Sequence, residues 1–171
     1  MNGWIFIDKP KDITSFKVIQ KLRKILKIKK IGHAGTLDPF ATGILAVAVG
    51  EATKSINYFN QNKVYTFNIV FGESKDTDDI TGKTIKKSNI IPTKEKITQN
   101  LKSFIGIHRQ VPPKYSAVKS NGKRAYKLAR KNQKFEIQAK DVFIKSLECL
   151  GAKNSKEYSL SLIHISEPTR P

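Results

Sequence analysis

Gly32-His33-Ala34-Gly35-Thr36-Leu37-Asp38-Pro39-Phe40-Ala41-Thr42-Gly43 runs straight into Ile44-Leu45-Ala46-Val47-Ala48-Val49, and the fold of the chain is decided there. A continuous apolar run of strand length marks a strand buried on both faces. Ahead of it, Ile31 to Gly43 holds three glycines, a proline and two threonines, and so reads as a loop. That loop carries one carboxylate, Asp38. Pro39 restricts the backbone of Asp38 to extended or turn geometry. Gly32 and Gly35 allow close backbone approach or a positive φ, and the buried strand behind the loop supplies a rigid scaffold. A single carboxylate does not suit a two-acid hydrolase. No Gly-Lys-Ser/Thr follows, which excludes a phosphate loop of the Walker type. A lone aspartate suits covalent nucleophilic catalysis or electrostatic support of a positive transition state. The alternative is an aspartate hydrogen-bonded within its own turn.

Working outward, Gly3 to Asp8 reads as a short strand, interrupted by Lys9-Pro10-Lys11-Asp12 because proline cannot continue a ladder. Thr14 or Ser15 offers an N-cap. Phe16, Val18, Ile19, Leu22, Ile25 and Leu26 follow at helical spacing, with Lys17, Lys21, Arg23 and Lys24 between them: an amphipathic helix with a basic outer face. Downstream, the pattern predicts a short helix over Thr53 to Phe59. Lys63 to Phe71 reads as a strand with Tyr65, Phe67, Ile69 and Phe71 on one face. Asp76 to Gly82 is an acidic turn, and Pro92 to Phe104 a helix capped by Thr93. A turn at Asn121-Gly122 precedes a basic helix over Ala125 to Lys131. Phe135 to Ala139, Val142 to Cys149 and the segment from Glu157 read as strands. The expected class is α+β, with a mixed, largely antiparallel sheet flanked by helices.

The chain has 171 residues, a soft prior for one domain. Its 39% hydrophobic and 27% charged content excludes wholesale disorder. One cysteine, Cys149, excludes an internal disulfide and a cysteine metal cluster, and no metal site is expected. The N-terminus has no basic leader with an apolar core, and no apolar run approaches the roughly 18 residues a membrane helix needs. A soluble, cytoplasmic protein is expected. Lys and Arg total 32 against 14 Asp and Glu, a net charge of +18 with pI near 10.0. That balance points to a polyanionic partner, most often nucleic acid. Of the 32, 27 are Lys, a bias that an AT-rich genome also produces, but without the Glu that usually accompanies it.

Gly32 to Lys54, GHAGTLDPFATGILAVAVGEATK, resembles the central motif of the TruB family of tRNA pseudouridine synthases, a GHxGTLDPxATGxL string followed by a GEATK-like segment. Three more segments are similar to the family's, in its order. They are IDKPKDITS (Ile7 to Ser15), KVYTFNIVFGESKDTDDITGK (Lys63 to Lys83) and VPPKYSAVKSNGKRAYKLAR (Val111 to Arg130). The resemblance implies that Asp38 is the catalytic aspartate and that His33 contacts the nucleic acid near the target. It implies that Tyr65 stacks on a flipped uracil, while Lys9 and Pro10 support the catalytic loop beside the substrate. Thr36 and Leu37, next to the aspartate, are carried over as substrate-binding positions. Val111 to Arg130 would be a mobile segment that packs on the tRNA T-loop. Each residue also has a plainer reading: His33 as a donor that stabilises the loop, Tyr65 as strand core, Lys9 as structural support, and Tyr115 and Tyr126 as packing. The implied reaction needs no cofactor, and the implied partner is the T-arm of tRNA, bound by a monomer.

Two departures stand out. Asp12 occupies a position where the family pattern has glycine. The family also continues with a CSxGTYIR-like segment, whose arginine pairs with the aspartate, and in many members with an RNA-binding module; neither is present. Leu160 to Pro171, LSLIHISEPTRP, resembles the in-frame translation of a transposon-derived sequencing adapter. Residues 1–159 are therefore expected to be the N-terminal part of a catalytic domain, 160–171 a non-native tail, and the fragment alone inactive. An open sheet edge is expected at the strand beginning near Glu157. The rival functions are a non-catalytic basic RNA-binding protein and a guide-RNA-dependent pseudouridine synthase relative.

Overall fold

The computed structural model describes residues 1–59, 62–113, 118–120, 122–131 and 133–165. Tyr115, Asn121, the Tyr126 side chain and residues 166–171 of the tail lie outside the described residues. The chain divides into two compact units that meet in sequence at residues 61 and 62. The class is the expected one, α+β with antiparallel sheets and few helices.

The first unit holds strand β1 (Gly3–Lys9), helix α1 (Ser15–Leu26), and strands β2 (Ile31–Ala34) and β3 (Gly43–Val49), followed by a 3-10 helix (Gly50–Tyr58). The sheet order is β1-β3-β2, antiparallel throughout. β1 alternates so that Ile5 and Ile7 face α1, where Val18, Ile19, Ile31, Leu45, Val47 and Val49 form the core. Leu45 to Val49 are all buried, as a strand covered on both faces requires, whereas Ile44 is exposed. The second face carries the intervening residues Trp4, Ala46 and Ala48. Phe59 rests on Trp4 there, with ring centroids 4.6 Å apart.

Ile31–Ala34, expected within a loop, is a strand because it pairs with β3 from Ile31↔Val49 to Ala34↔Ala46. A Cβ at Gly32 would meet Ile56 Cδ1 at 3.0 Å, so this glycine permits close packing. Gly35 takes the positive φ, +95°. The loop is thus shorter than its composition suggests.

The second unit is built on a four-stranded antiparallel sheet, β4-β11-β10-β7. Its elements in chain order are β4 (Asn62–Val70), β5 (Glu73–Lys75), β6 (Thr84–Lys87), α2 (Lys94–Leu101), a 3-10 turn (Lys102–Phe104) and β7 (Gly106–Gln110). β8 (Lys119–Ser120), β9 (Lys123–Arg124), α3 (Ala125–Arg130), β10 (Lys140–Ala152) and β11 (Glu157–Ile165) follow. Thr93 caps α2 by accepting from Lys96 N, and Ile97 is buried. Phe67, Ile69 and Phe71, which share one side of the β4 segment, line an apolar cleft of about 400 Å³ with Ile97, Leu101, Leu147 and Leu160.

Two expectations for this unit are corrected, and one strand escapes the sequence pattern. Phe135 to Ala139 alternates but forms no strand, because β10 pairs instead with β7, from Lys140↔Gln110 to Ile144↔Gly106. β7 itself, Gly-Ile-His-Arg-Gln, carries too weak an apolar alternation to be read. The strand beginning at Glu157 is no open edge: β11 is paired with β4 on one side and β10 on the other, and the sheet's edges are β4 and β7. Leu160 to Ile165 continue that strand, and Leu160 is only 3% exposed.

Candidate active site

Asp38 sits on the loop joining β2 to β3, and the segment between β1 and α1 builds its support. Three threads tie the two together. Lys9, at the end of β1, is fully buried. Its Nζ donates to Pro10 O at 2.9 Å, Ile13 O at 2.8 Å and Pro39 O at 3.3 Å. Those three bonds match the three donors of an ammonium. Asp12 N donates to the same Pro39 carbonyl at 2.7 Å. Ser15 Oγ accepts from Leu37 N at 3.0 Å and donates to Leu37 O at 3.2 Å, while the Leu37 side chain packs on the core. Within the loop, Ala41 N donates to Asp38 O at 3.1 Å.

The residues on either side of Asp38 are therefore fixed to the β1–α1 segment, yet Asp38 itself is exposed, as is Thr36. A rigid backbone presenting a solvent-facing carboxylate is the arrangement a reacting group needs. His33, half-buried on β2, donates from Nδ1 to the carbonyl of Gly35. In the neutral ring this leaves Nε2 as an acceptor. Lys9 is buried, with its ammonium committed to three carbonyls. Pro10 is exposed, with its carbonyl tied to Lys9.

The sequence reading missed Ser15 as a loop anchor. The signal was two adjacent hydroxyls where a helix needs one cap. Thr14 is that cap, its Oγ1 accepting from Lys17 N at 3.1 Å, and Ser15 is left to face the loop. Asp12 has φ +64°, a left-handed conformation that favours glycine, which accounts for the glycine in the motif at this position. The GEATK string is also structural. Gly50 lies at φ +63°, its N–H donates to Lys30 O at 2.8 Å, and Asn2 Oδ1 accepts from Glu51 N at 2.9 Å. Glu51 pairs with Lys30 at 2.8 Å and Lys54 at 2.7 Å. The Lys30 hydrogen bond, then that of Lys54, lowers its carboxyl from the ordinary 4.5 to about 2.

The outer face of α1 forms a shallow hollow lined by Lys17, Gln20, Lys21, Arg23 and Lys24. Among the described residues no carboxylate pairs with these four cations. The hollow is a concentrated positive surface in the same unit as Asp38.

Asp38, His33, Thr36, Leu37, Lys9 and Pro10 all belong to the first unit, whereas Tyr65 lies in the second, on β4, 40% exposed and paired in register with Leu162. In the acidic turn of the second unit, Asp79 Oδ1 accepts from Thr77 Oγ1 at 2.8 Å, Thr81 N at 2.8 Å and Thr81 Oγ1 at 2.6 Å. Burial works to raise the Asp79 pKa, but these hydrogen bonds outweigh it and the net shift is downward. Among the described residues no group of three or more His, Cys, Asp or Glu could hold a metal ion, and no helix is long and apolar enough to cross a membrane.

The chain is 48% identical over 153 residues to the tRNA pseudouridine synthase B of Ehrlichia chaffeensis. That match covers 89% of this chain and 52% of the relative. It is 43% identical over 164 residues to the tRNA pseudouridine synthase B of Roseobacter denitrificans, covering 95% and 54%. The chain thus spans about half the length of the curated relatives it matches. Among solved structures it resembles a chain of a Cbf5-Nop10-Gar1 complex, with TM-score 0.65 and 25% identity, over 96% of this chain and 40% of that one. The fold is also shared with a chain of an H/ACA RNP bound to a substrate RNA containing 2'-deoxyuridine, with TM-score 0.63 and 21% identity, over 96% and 38%. Residues 23–169 match the N-terminal domain of the TruB family pseudouridylate synthases, the family to which this chain belongs.

Proposed function

We propose that the complete protein converts a specific uridine of the tRNA T-loop to pseudouridine, with Asp38 as the nucleophile. The exposed carboxylate on a backbone fixed at Leu37 and Pro39 is the observation that carries this reading. The reaction breaks the N1–C1′ bond, turns the base and joins C5 to C1′. A proton leaves C5 and one is gained at N1, so the balance needs neither redox cofactor nor ATP. The target base, held in a folded loop, must be flipped out. Tyr65 offers an aromatic platform for it, a stacking worth about 1–3 kcal/mol per base. His33 and Thr36 contact the nucleotide, Lys9, Pro10 and Leu37 hold the loop, and the α1 cations neutralise phosphates. The protein acts as a cytoplasmic monomer. Residues 160–171 we read as adapter-derived, which nucleotide sequence across the Ser159 codon tests.

The experiment joins residues 1–159 to the C-terminal half of the Ehrlichia chaffeensis relative and measures pseudouridine in a T-arm hairpin. Turnover is expected without added guide RNA, which separates this reading from a guide-dependent enzyme. Asp38→Asn should abolish it and leave hairpin affinity within a few-fold, because the amide keeps the shape and loses nucleophilicity. Substantial residual turnover would sink the assignment. The fragment alone is expected to be inactive.

A further inference from the structure

We propose that Ser15 is a positioning residue for Asp38: its hydroxyl sets the peptide plane from which the carboxylate is presented. The proposal rests on the reading of Asp38 as the reacting group. Two peptide planes flank Asp38. The second, through Asp38 O, is held within the loop by Ala41 N at 3.1 Å. The first contains Leu37 O, and its hydrogen-bonding side-chain partner is Ser15 Oγ, at 3.2 Å.

The same oxygen accepts from Leu37 N at 3.0 Å, so one hydroxyl grips both polar groups of the residue preceding Asp38. A serine has one proton to give and lone pairs to receive, and this pair of bonds uses both capacities. Ser15 is 2% exposed, so water does not readily replace it. Its neighbour Thr14 already caps α1, so helix capping does not account for the Ser15 hydroxyl. The anchor is also stiff. Ser15 is the first residue of a helix whose Val18 and Ile19 are buried in the core, and Leu37 packs against that same core.

Losing the hydroxyl leaves Leu37 N–H and C=O without this partner and frees the plane before Asp38 to rotate. Displacement of a reacting group by about 1 Å can reduce the rate by about 10²-fold. In the completed chain described above, single-turnover pseudouridine formation on a saturating T-arm hairpin separates positioning from folding. A purely structural role lowers the amplitude, the fraction of competent enzyme, and leaves the rate constant alone. A positioning role lowers the rate constant itself.

For Ser15→Ala, the rate constant is expected to fall at least tenfold, with hairpin affinity within about threefold of the parent. Ser15→Thr, which keeps the hydroxyl, is expected to stay within about threefold in rate. Should the alanine variant fail to fold, Ser15→Cys serves in its place. Its thiol is close in shape and a weak hydrogen-bonding group, and the same tenfold fall is expected. An unchanged rate constant in the folded alanine or cysteine variant overturns the proposal, as does an equal loss in the threonine variant. Asp38→Asn run in parallel distinguishes the two levels: turnover there refutes Asp38 as the reacting group, and Ser15's role with it. A dead Asp38→Asn beside a fully active Ser15→Ala refutes only the positioning role.

Discussion

Replacing Lys9 with methionine tests how firmly the Asp38 loop is held. The side chain is fully buried, and its ammonium gives three hydrogen bonds to carbonyls, of Pro10, Ile13 and Pro39. Hydrogen bonds to charged groups contribute about 1.5–3 kcal/mol each. Three of them would exceed the net effect, because burying the ammonium carries a desolvation penalty of several kcal/mol that methionine does not. The Pro39 carbonyl keeps its bond from Asp12 N, so two carbonyls lose the lysine donor without that compensation. Leaving a buried acceptor unpaired costs about 1–3 kcal/mol; Pro10 is exposed and Ile13 half-buried, so water meets part of the need and each loss falls in the lower half of that range. The balance is a loss of about 2–4 kcal/mol, read as a lower urea midpoint at unchanged slope in the completed chain. Lys9→Arg should not restore it, since a planar fork cannot point at the three carbonyls that surround a tetrahedral ammonium. A methionine variant within about 0.5 kcal/mol of the parent would refute the idea that these bonds anchor the loop.

Gly50→Ala should destabilise by about 2–4 kcal/mol in the same unfolding assay. A left-handed residue with a Cβ costs about 1–2 kcal/mol, and that Cβ would stand 2.0 Å from Asn2 Oδ1, forcing away the acceptor of Glu51 N. Affinity for a T-arm hairpin should fall steeply with salt, and neutralising Lys17, Lys21 and Lys24 together should flatten the slope of log K against log salt by about 2–3. An unchanged slope would move the RNA surface away from α1. Glu51 has a folded pKa of about 2, below its ordinary 4.5. Its contribution to stability is therefore full above pH 4.5 and is lost as pH falls through about 2. Glu51→Gln should make unfolding less dependent on pH within that window, as followed by circular dichroism.

The elements that could be read from sequence are those whose signal is local. β3 is an unbroken apolar run and is buried from Leu45 to Val49. α1 has helical spacing and a hydroxyl cap, and its boundaries agree to within a residue. The Asp38 loop was legible because proline and glycine leave a short menu of backbone states. What escaped depends on partners distant in sequence. Ile31–Ala34 looks like loop until β3 lies beside it, and β7 becomes a strand only against Lys140 to Ile144. Phe135 to Ala139 has the alternation of a strand but joins no sheet among the described residues. The position of β11 between β4 and β10 is likewise a fact of topology that no periodicity in Glu157 to Ile165 records.

The segment from Lys9 to Ser15 brings these levels together. As sequence it is an interruption: a proline, three charges and two hydroxyls where a strand gives way to a helix. Folded, three of its residues hold the opposite loop and a fourth caps the helix. Lys9 and the Asp12 amide converge on Pro39 O, Thr14 starts the helix, and Ser15 holds Leu37. Asp12 reaches Pro39 only because its backbone turns left-handed at φ +64°. Glycine meets that demand without strain, whereas aspartate tolerates it better than most residues because its short side chain bonds locally. The tolerated departure and the two-sided clamp have one cause: the bond from the residue-12 amide to Pro39 requires a backbone shape, not a side chain. The Asp38 carboxylate can therefore stand exposed to solvent, since the neighbours on both sides carry the constraint.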